Sequence, residues 1–124
     1  MLGASIYKNM SELSQEGIDE RSVLAYIWTK SKNFNDADMI HVSEFSGDNA
    51  LIINEVFGID EYQTIIYHYN GWLYELFTIK NSGLGREDGV KVMPLEDLTF
   101  ETANHGLIKI SSGNQTLLIN PLGN

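Results

Sequence analysis

The sequence predicts an α+β fold: an N-terminal helix, either continuous or bent near Gly17, packed on an antiparallel β-sheet meander. Three observations carry this. Apolar residues recur at spacings of three and four only up to about Lys32, and period-two alternation takes over after Asp38. Asn70-Gly71 then sits between two aromatic and β-branched runs. A helix with one apolar stripe and a sheet with one apolar face bury each other, which gives a layered domain.

Ile6, Met10, Leu13 and Gly17, then Leu24, Ile27 and Trp28, follow helical spacing. Gly17 interrupts the stripe at a cost of roughly 1 kcal/mol against alanine. Asp19 is placed to cap a fresh start, with Glu20 near the positive end of the helix dipole. The spacing therefore predicts a helix over about Ala4 to Gln15, continuous with or bent into a second over about Ile18 to Lys32. Lys30 and Lys32 suit its negative C-terminal end. Asn33-Phe34-Asn35-Asp36 ends it, because Asn and Asp side chains compete for the backbone.

Short strands follow, roughly five to seven of them, near the usual sheet size. The clearest pair is Tyr62 to Tyr69 and Trp72 to Ile79. Asn70-Gly71 supplies the two residues tolerant of positive φ that a type I′ turn demands. That turn sets Tyr69 opposite Trp72 and Tyr67 opposite Tyr74. One face then carries Ile65, Tyr67, Tyr69, Trp72, Tyr74 and Leu76. The other carries Tyr62, Ile66, Leu73, Phe77 and Ile79, with His68 opposite Leu73 and Glu75 opposite Ile66. Further strands fit Met39 to Phe45, Ala50 to Phe57, Val90 to Met93, Leu98 to Ala103, Leu107 to Ser111 and Thr116 to Asn120. Asn104-His105-Gly106 and Ser112-Gly113-Asn114 supply turns between the last three. Asn81 to Gly89, glycines among charges, reads as a mobile surface loop. No repeat or long linker divides the chain, so residues 1–124 read as a single domain.

Lys and Arg number 8 against 17 Asp and Glu, a formal net charge of −9. A protein that tracks nucleic-acid phosphates needs a basic stripe, so direct nucleic-acid binding is not expected. Zero Cys removes disulfides and thiol chemistry. No apolar run reaches the length of about 18 residues that spans a bilayer as a helix. The first residues also lack the basic and apolar regions of a secretory signal.

The possible chemical sites each have a plainer reading. Gly83-Leu84-Gly85 lacks the third glycine and following helix of a phosphate-binding loop. His41, His68 and His105 show no zinc-ligand spacing, and His68 reads as a half-buried polar residue beside Glu75. Asp19-Glu20, Glu87-Asp88 and Glu96-Asp97 read as solvated carboxylates rather than acid and base pairs. Asp36-Ala37-Asp38 lacks the glycine and distal Glu of a calcium loop. The tyrosine and tryptophan face of the hairpin has the form of a stacking platform, but sheet core or subunit contact explains it better at this net charge. No catalytic residue, metal, cofactor or small-molecule substrate is assigned, and no enzymatic activity is expected.

Thr64 to Leu76 resembles the aromatic strand, Asx-Gly turn and Leu-Tyr-x-Leu strand unit of minor pilin-like proteins. In those proteins a loop leads to a segment similar to Val92 to Glu101 and then to terminal strands like Leu107 to Ser111 and Thr116 to Asn120. The front half resembles an uncharacterised Firmicute family known only as a domain of unknown function. Gly3-Ala4-Ser5-Ile6-Tyr7 and the helix Arg21 to Lys30 carry that resemblance. Together they cover nearly the whole chain. The basic leader and glutamate-bearing apolar helix of a pilin match no position, so the family's processing residues map nowhere here.

The resemblance implies the extracytoplasmic, cell-surface head of a minor pilin-like or pseudopilin-like subunit in a competence or secretion filament. Such a head is membrane-anchored only through a helix upstream of Leu2, and its partners are other pilin-like subunits. Ile6, Tyr7 and Met10 would lie nearest that anchor and contact neighbouring subunits. The alternative is a free-standing small-ligand or protein-binding domain with a pocket between helix and sheet.

Overall fold

The structure, a computed structural model, describes residues 3–8, 15–34 and 39–121. Within them lie one α-helix and nine strands in two antiparallel sheets, so the α+β class holds. The elements are β1 (Gly3–Lys8), α1 (Gln15–Ser31), β2 (Ile40–Phe45), β3 (Asp48–Phe57), β4 (Asp60–Tyr69), β5 (Trp72–Ile79), β6 (Val90–Pro94), β7 (Thr99–Thr102), β8 (Ile108–Ser112) and β9 (Gln115–Asn120).

The first expectation to fail is the helix over Ala4 to Gln15. Gly3–Lys8 is instead a strand, paired antiparallel with β9 from Gly3 opposite Asn120 to Lys8 opposite Gln115. Gly, Ser, Ile and Tyr in this stretch are poor or middling helix formers, and β9 offers an edge whose backbone groups need partners. Met10 lies outside the described residues. The bend at Gly17 is also absent, since α1 runs through that position without interruption. Gly17 falls in its opening turn, where the first amides have no intrahelical partner and little helix is at stake.

The single meander is the second correction. Strands β2 to β6 form one five-stranded meander, and β1, β9, β8 and β7 form a separate four-stranded sheet. The chain leaves the first sheet at Pro94, which has no amide to donate to a further ladder. Leu95 and Leu98 then turn into the core.

The expected β4–β5 hairpin is observed in register, Tyr69 opposite Trp72 and Tyr67 opposite Tyr74. Asn70 and Gly71 take φ of 52° and 81°, the left-handed pair a type I′ turn requires.

Alternation gives the five-stranded sheet two faces. The inner face sets Leu51, Ile53, Ile66 and Leu73 against Val23, Leu24 and Ile27 of α1 and against Phe100, Ile108, Ile110, Leu117 and Ile119 of the second sheet. The helix and both sheets share this main core. The outer face gathers Ala50, Ile52, Ile65, Tyr67, Tyr74 and Leu76 into a smaller cluster, flanked by Phe45, Tyr69 and Trp72. Its cover is the segment expected to be a mobile loop. Arg86 stands 4.8 Å over the Tyr69 ring, its amide donates to Ser46 Oγ, and its carbonyl accepts from the Tyr67 hydroxyl at 2.6 Å. Residues 81–89 are thus a strap across aromatic side chains.

Candidate functional site

Where α1 ends on the inner face, a polar clamp joins it to β5. The Tyr26 hydroxyl donates to the Glu75 carboxylate, and Lys30 Nζ lies 3.3 Å from the same group. Residues 26 and 30 are one helical turn apart, so both reach one carboxylate from one side of the helix. Burial, reinforced by the adjacent Glu75 charge, pushes the Tyr26 phenol well above its ordinary range. Protonated Tyr26 is therefore a donor to Glu75 at any physiological pH.

Beyond the clamp the inner face becomes partly exposed to solvent. Phe57, Tyr62 and Phe77 form a ladder across β3, β4 and β5. Tyr62 and Phe77 stack with centroids 5.4 Å apart and planes at 7°, and Phe57 meets Tyr62 edge-on at 5.6 Å. Ile79 lies opposite Tyr62. Phe57 and Phe77 are each 53% exposed, and Ile59, at the tip of the β3–β4 turn, is 98% exposed. A turn tip gives an isoleucine no burial, so its presence there is a cost to solubility without a partner.

A cavity of about 390 Å³ adjoins the ladder at Phe77 and is lined also by Tyr26, Glu75, Asp88 and Val92. By register, Glu55 lies opposite Tyr62 and Asp60 opposite Phe57, so both carboxylates share the ladder's face. The surface is apolar at its centre and acidic around it.

The other residues singled out in the sequence do not converge. Ile6 and Tyr7 belong to β1, away from any helical stripe. His68 is half-buried, as expected, but its Nε2 pairs with the Leu95 carbonyl at 2.7 Å while Glu75 is held by Tyr26 and Lys30. His105 sits in a turn at φ 63°. The Gly85 amide, which a phosphate loop would offer to its ligand, donates to Asp88 Oδ2 at 2.8 Å. Asp97 accepts from the Gly113 amide at 3.2 Å. Asp36-Ala37-Asp38 lies outside the described residues. Among the described residues no group of three His, Asp or Glu is arranged to hold a metal ion.

The sequence pattern places Tyr62, Phe77 and Ile79 on one face without separating them from the core residues of that face. The usable signal was position. They lie at the strand ends farthest from the Asn70-Gly71 turn, beside Phe57 and Ile59.

Comparison with curated proteins and with solved structures found no match to this chain. A family model matches from within α1 to the first residue of β9, a span that includes the clamp, the ladder and the strap. The chain belongs to the family described as Domain of unknown function (DUF4860), matched over residues 18–115.

Proposed function

We propose that the chain is a structural, non-enzymatic subunit that works by contact with other proteins. More finely, we read it as the extracytoplasmic head of a minor pilin-like or pseudopilin-like subunit in a competence or secretion filament. The observation that supports contact best is the exposed Phe57–Tyr62–Phe77 ladder with Ile59 at its tip. Ordered aromatic rings facing solvent are the residue type that anchors protein interfaces.

The finer reading rests on the pilin-like pattern of Thr64 to Leu76 and on a helix laid across an antiparallel sheet. With Ile6 and Tyr7 in a strand, the contact with neighbouring subunits falls to the ladder rather than to an N-terminal helical stripe. Membrane attachment, in this reading, falls to an anchoring helix ahead of Leu2.

The test is immunogold labelling of filaments sheared from the surface of the source cells. Labelled filaments are expected. A chain found only in other fractions overturns the filament reading. A second reading, a free-standing small-ligand domain, is favoured by the cavity of about 390 Å³ between α1 and the β5–β6 edge.

A further inference from the structure

The aromatic ladder has a definite charge environment, and that environment selects its occupant. Glu55 and Asp60 flank Tyr62 and Phe57 on the same face, while Glu75 and Asp88 line the cavity beside Phe77. Nearby cations are already engaged: Lys30 lies 3.3 Å from Glu75, and Lys80 lies 3.6 Å from Glu61. The chain as a whole carries −9, so a second copy presented to this face meets like charge.

We propose that the ladder and the adjoining acidic cavity dock a basic segment of a different protein. Its aromatic or aliphatic side chains lie on Phe57, Tyr62 and Phe77 and reach Ile59 at the ladder's tip, and its Lys or Arg side chains meet Glu55, Asp60 and Asp88. An apolar centre supplies most of the affinity of such a contact, and the surrounding charges supply orientation and partner choice. The Tyr26–Glu75–Lys30 clamp fixes the end of α1 beside the cavity, so the wall a partner meets is already in place before binding. This deepens the reading of the chain as a contact subunit and gives the chemistry of the partner.

The test selects a random displayed peptide library against the intact chain, then measures the recovered peptides as synthetic fluorescent probes by anisotropy. Enriched peptides are expected to combine Lys or Arg with aromatic or aliphatic residues. Their affinity should fall at least about tenfold between about 50 mM and 500 mM NaCl. Ile59→Ser, at a position with no burial to lose, and the pair Glu55→Lys with Asp60→Lys should each weaken binding at least about tenfold. Glu101→Lys on the second sheet should leave it unchanged. Enrichment of peptides without basic residues overturns the proposal, as does binding indifferent to the ladder variants or no enrichment at all. Sedimentation showing self-association through Ile59 would assign the face to a second copy and overturn it too. Filament labelling is read separately, so a failed peptide selection beside labelled filaments removes the basic partner and leaves the filament reading intact.

Discussion

Gly71 shows how one backbone angle fixes a long register. At φ 81° it occupies the left-handed region, and nothing stands within 4 Å of where a Cβ would be. The penalty for a side chain there is conformational rather than steric with neighbours. Gly71→Val should cost on the order of 1 kcal/mol or more, since a β-branched residue is forced to positive φ. An unchanged denaturation midpoint would show that the turn can adopt another geometry. Tyr67 offers a second measurement at this scale. Burial pushes its phenol up to about 12, partly offset by the Gly89 amide, against an ordinary value of 10.0. The unfolded chain therefore releases this proton first as pH rises. The stability that neutral Tyr67 contributes is complete below about pH 10 and is lost as pH climbs through about 12. A spectrophotometric titration should show late phenolate formation, and Tyr67→Phe should reduce it by one tyrosine, leaving the part that belongs to Tyr26. Titration of every tyrosine near its ordinary value would count against the buried hydroxyl.

Between elements, the strap over residues 81–89 and the clamp on α1 do the work that composition concealed. Three glycines among charges describe a solvated loop equally well, because nothing in that composition encodes the Arg86 amide donating to Ser46 Oγ forty residues earlier. Stacking of Arg86 on Tyr69 adds roughly 0.5–1 kcal/mol. The Gly85, Arg86 and Asp88 amides, each hydrogen-bonded, should exchange with deuterium more slowly than free-chain rates. Removing the Ser46 and Arg86 side-chain anchors together, with Ser46→Ala and Arg86→Ala, should speed that exchange and leave the β4 and β5 amides unchanged. Free-chain rates in the unaltered protein would make the segment an open loop after all. What was legible in the sequence was local: the Asn70-Gly71 hairpin with its opposed pairs, and a helix ending near Ser31. The division into two sheets was not, since it depends on where the chain turns after Pro94. Nor was β1, because Ile6 fits both a stripe and a strand and only the β9 edge decides between them. The candidate surface was half legible. Tyr62, Phe77 and Ile79 fall on the right face in the sequence pattern, whereas Phe57 and Ile59 are given no face by it, and the reach of α1, which determines which of them stay exposed, is a tertiary quantity.

At the scale of the whole molecule, the main core decides whether two sheets behave as one body. Ile110, Leu117 and Ile119 of the second sheet meet Leu24 and Ile27 of α1 and Leu51 and Ile66 of the first sheet in a single buried cluster. None of these side chains has a face of its own to retreat to, so loss of either sheet would expose the inner face of the other. Unfolding should therefore be a single cooperative transition. The two tryptophans report on it from different places. Trp28 packs against the main core, and Trp72 flanks the outer-face cluster with Lys91 of β6 4.8 Å over its ring. In Trp28→Phe and Trp72→Phe variants, the remaining tryptophan should give a denaturant midpoint coincident with the loss of far-ultraviolet circular dichroism. Leu117→Ala sharpens the test. It removes a fully buried side chain from β9 and should cost about 2–5 kcal/mol through lost transfer energy and the cavity left behind. Trp72 lies on the other sheet and on its far face, yet its fluorescence midpoint should fall by the same amount as that of Trp28. A Trp72 transition that ignores Leu117→Ala would mean that the five-stranded sheet and its strap fold independently of the second sheet.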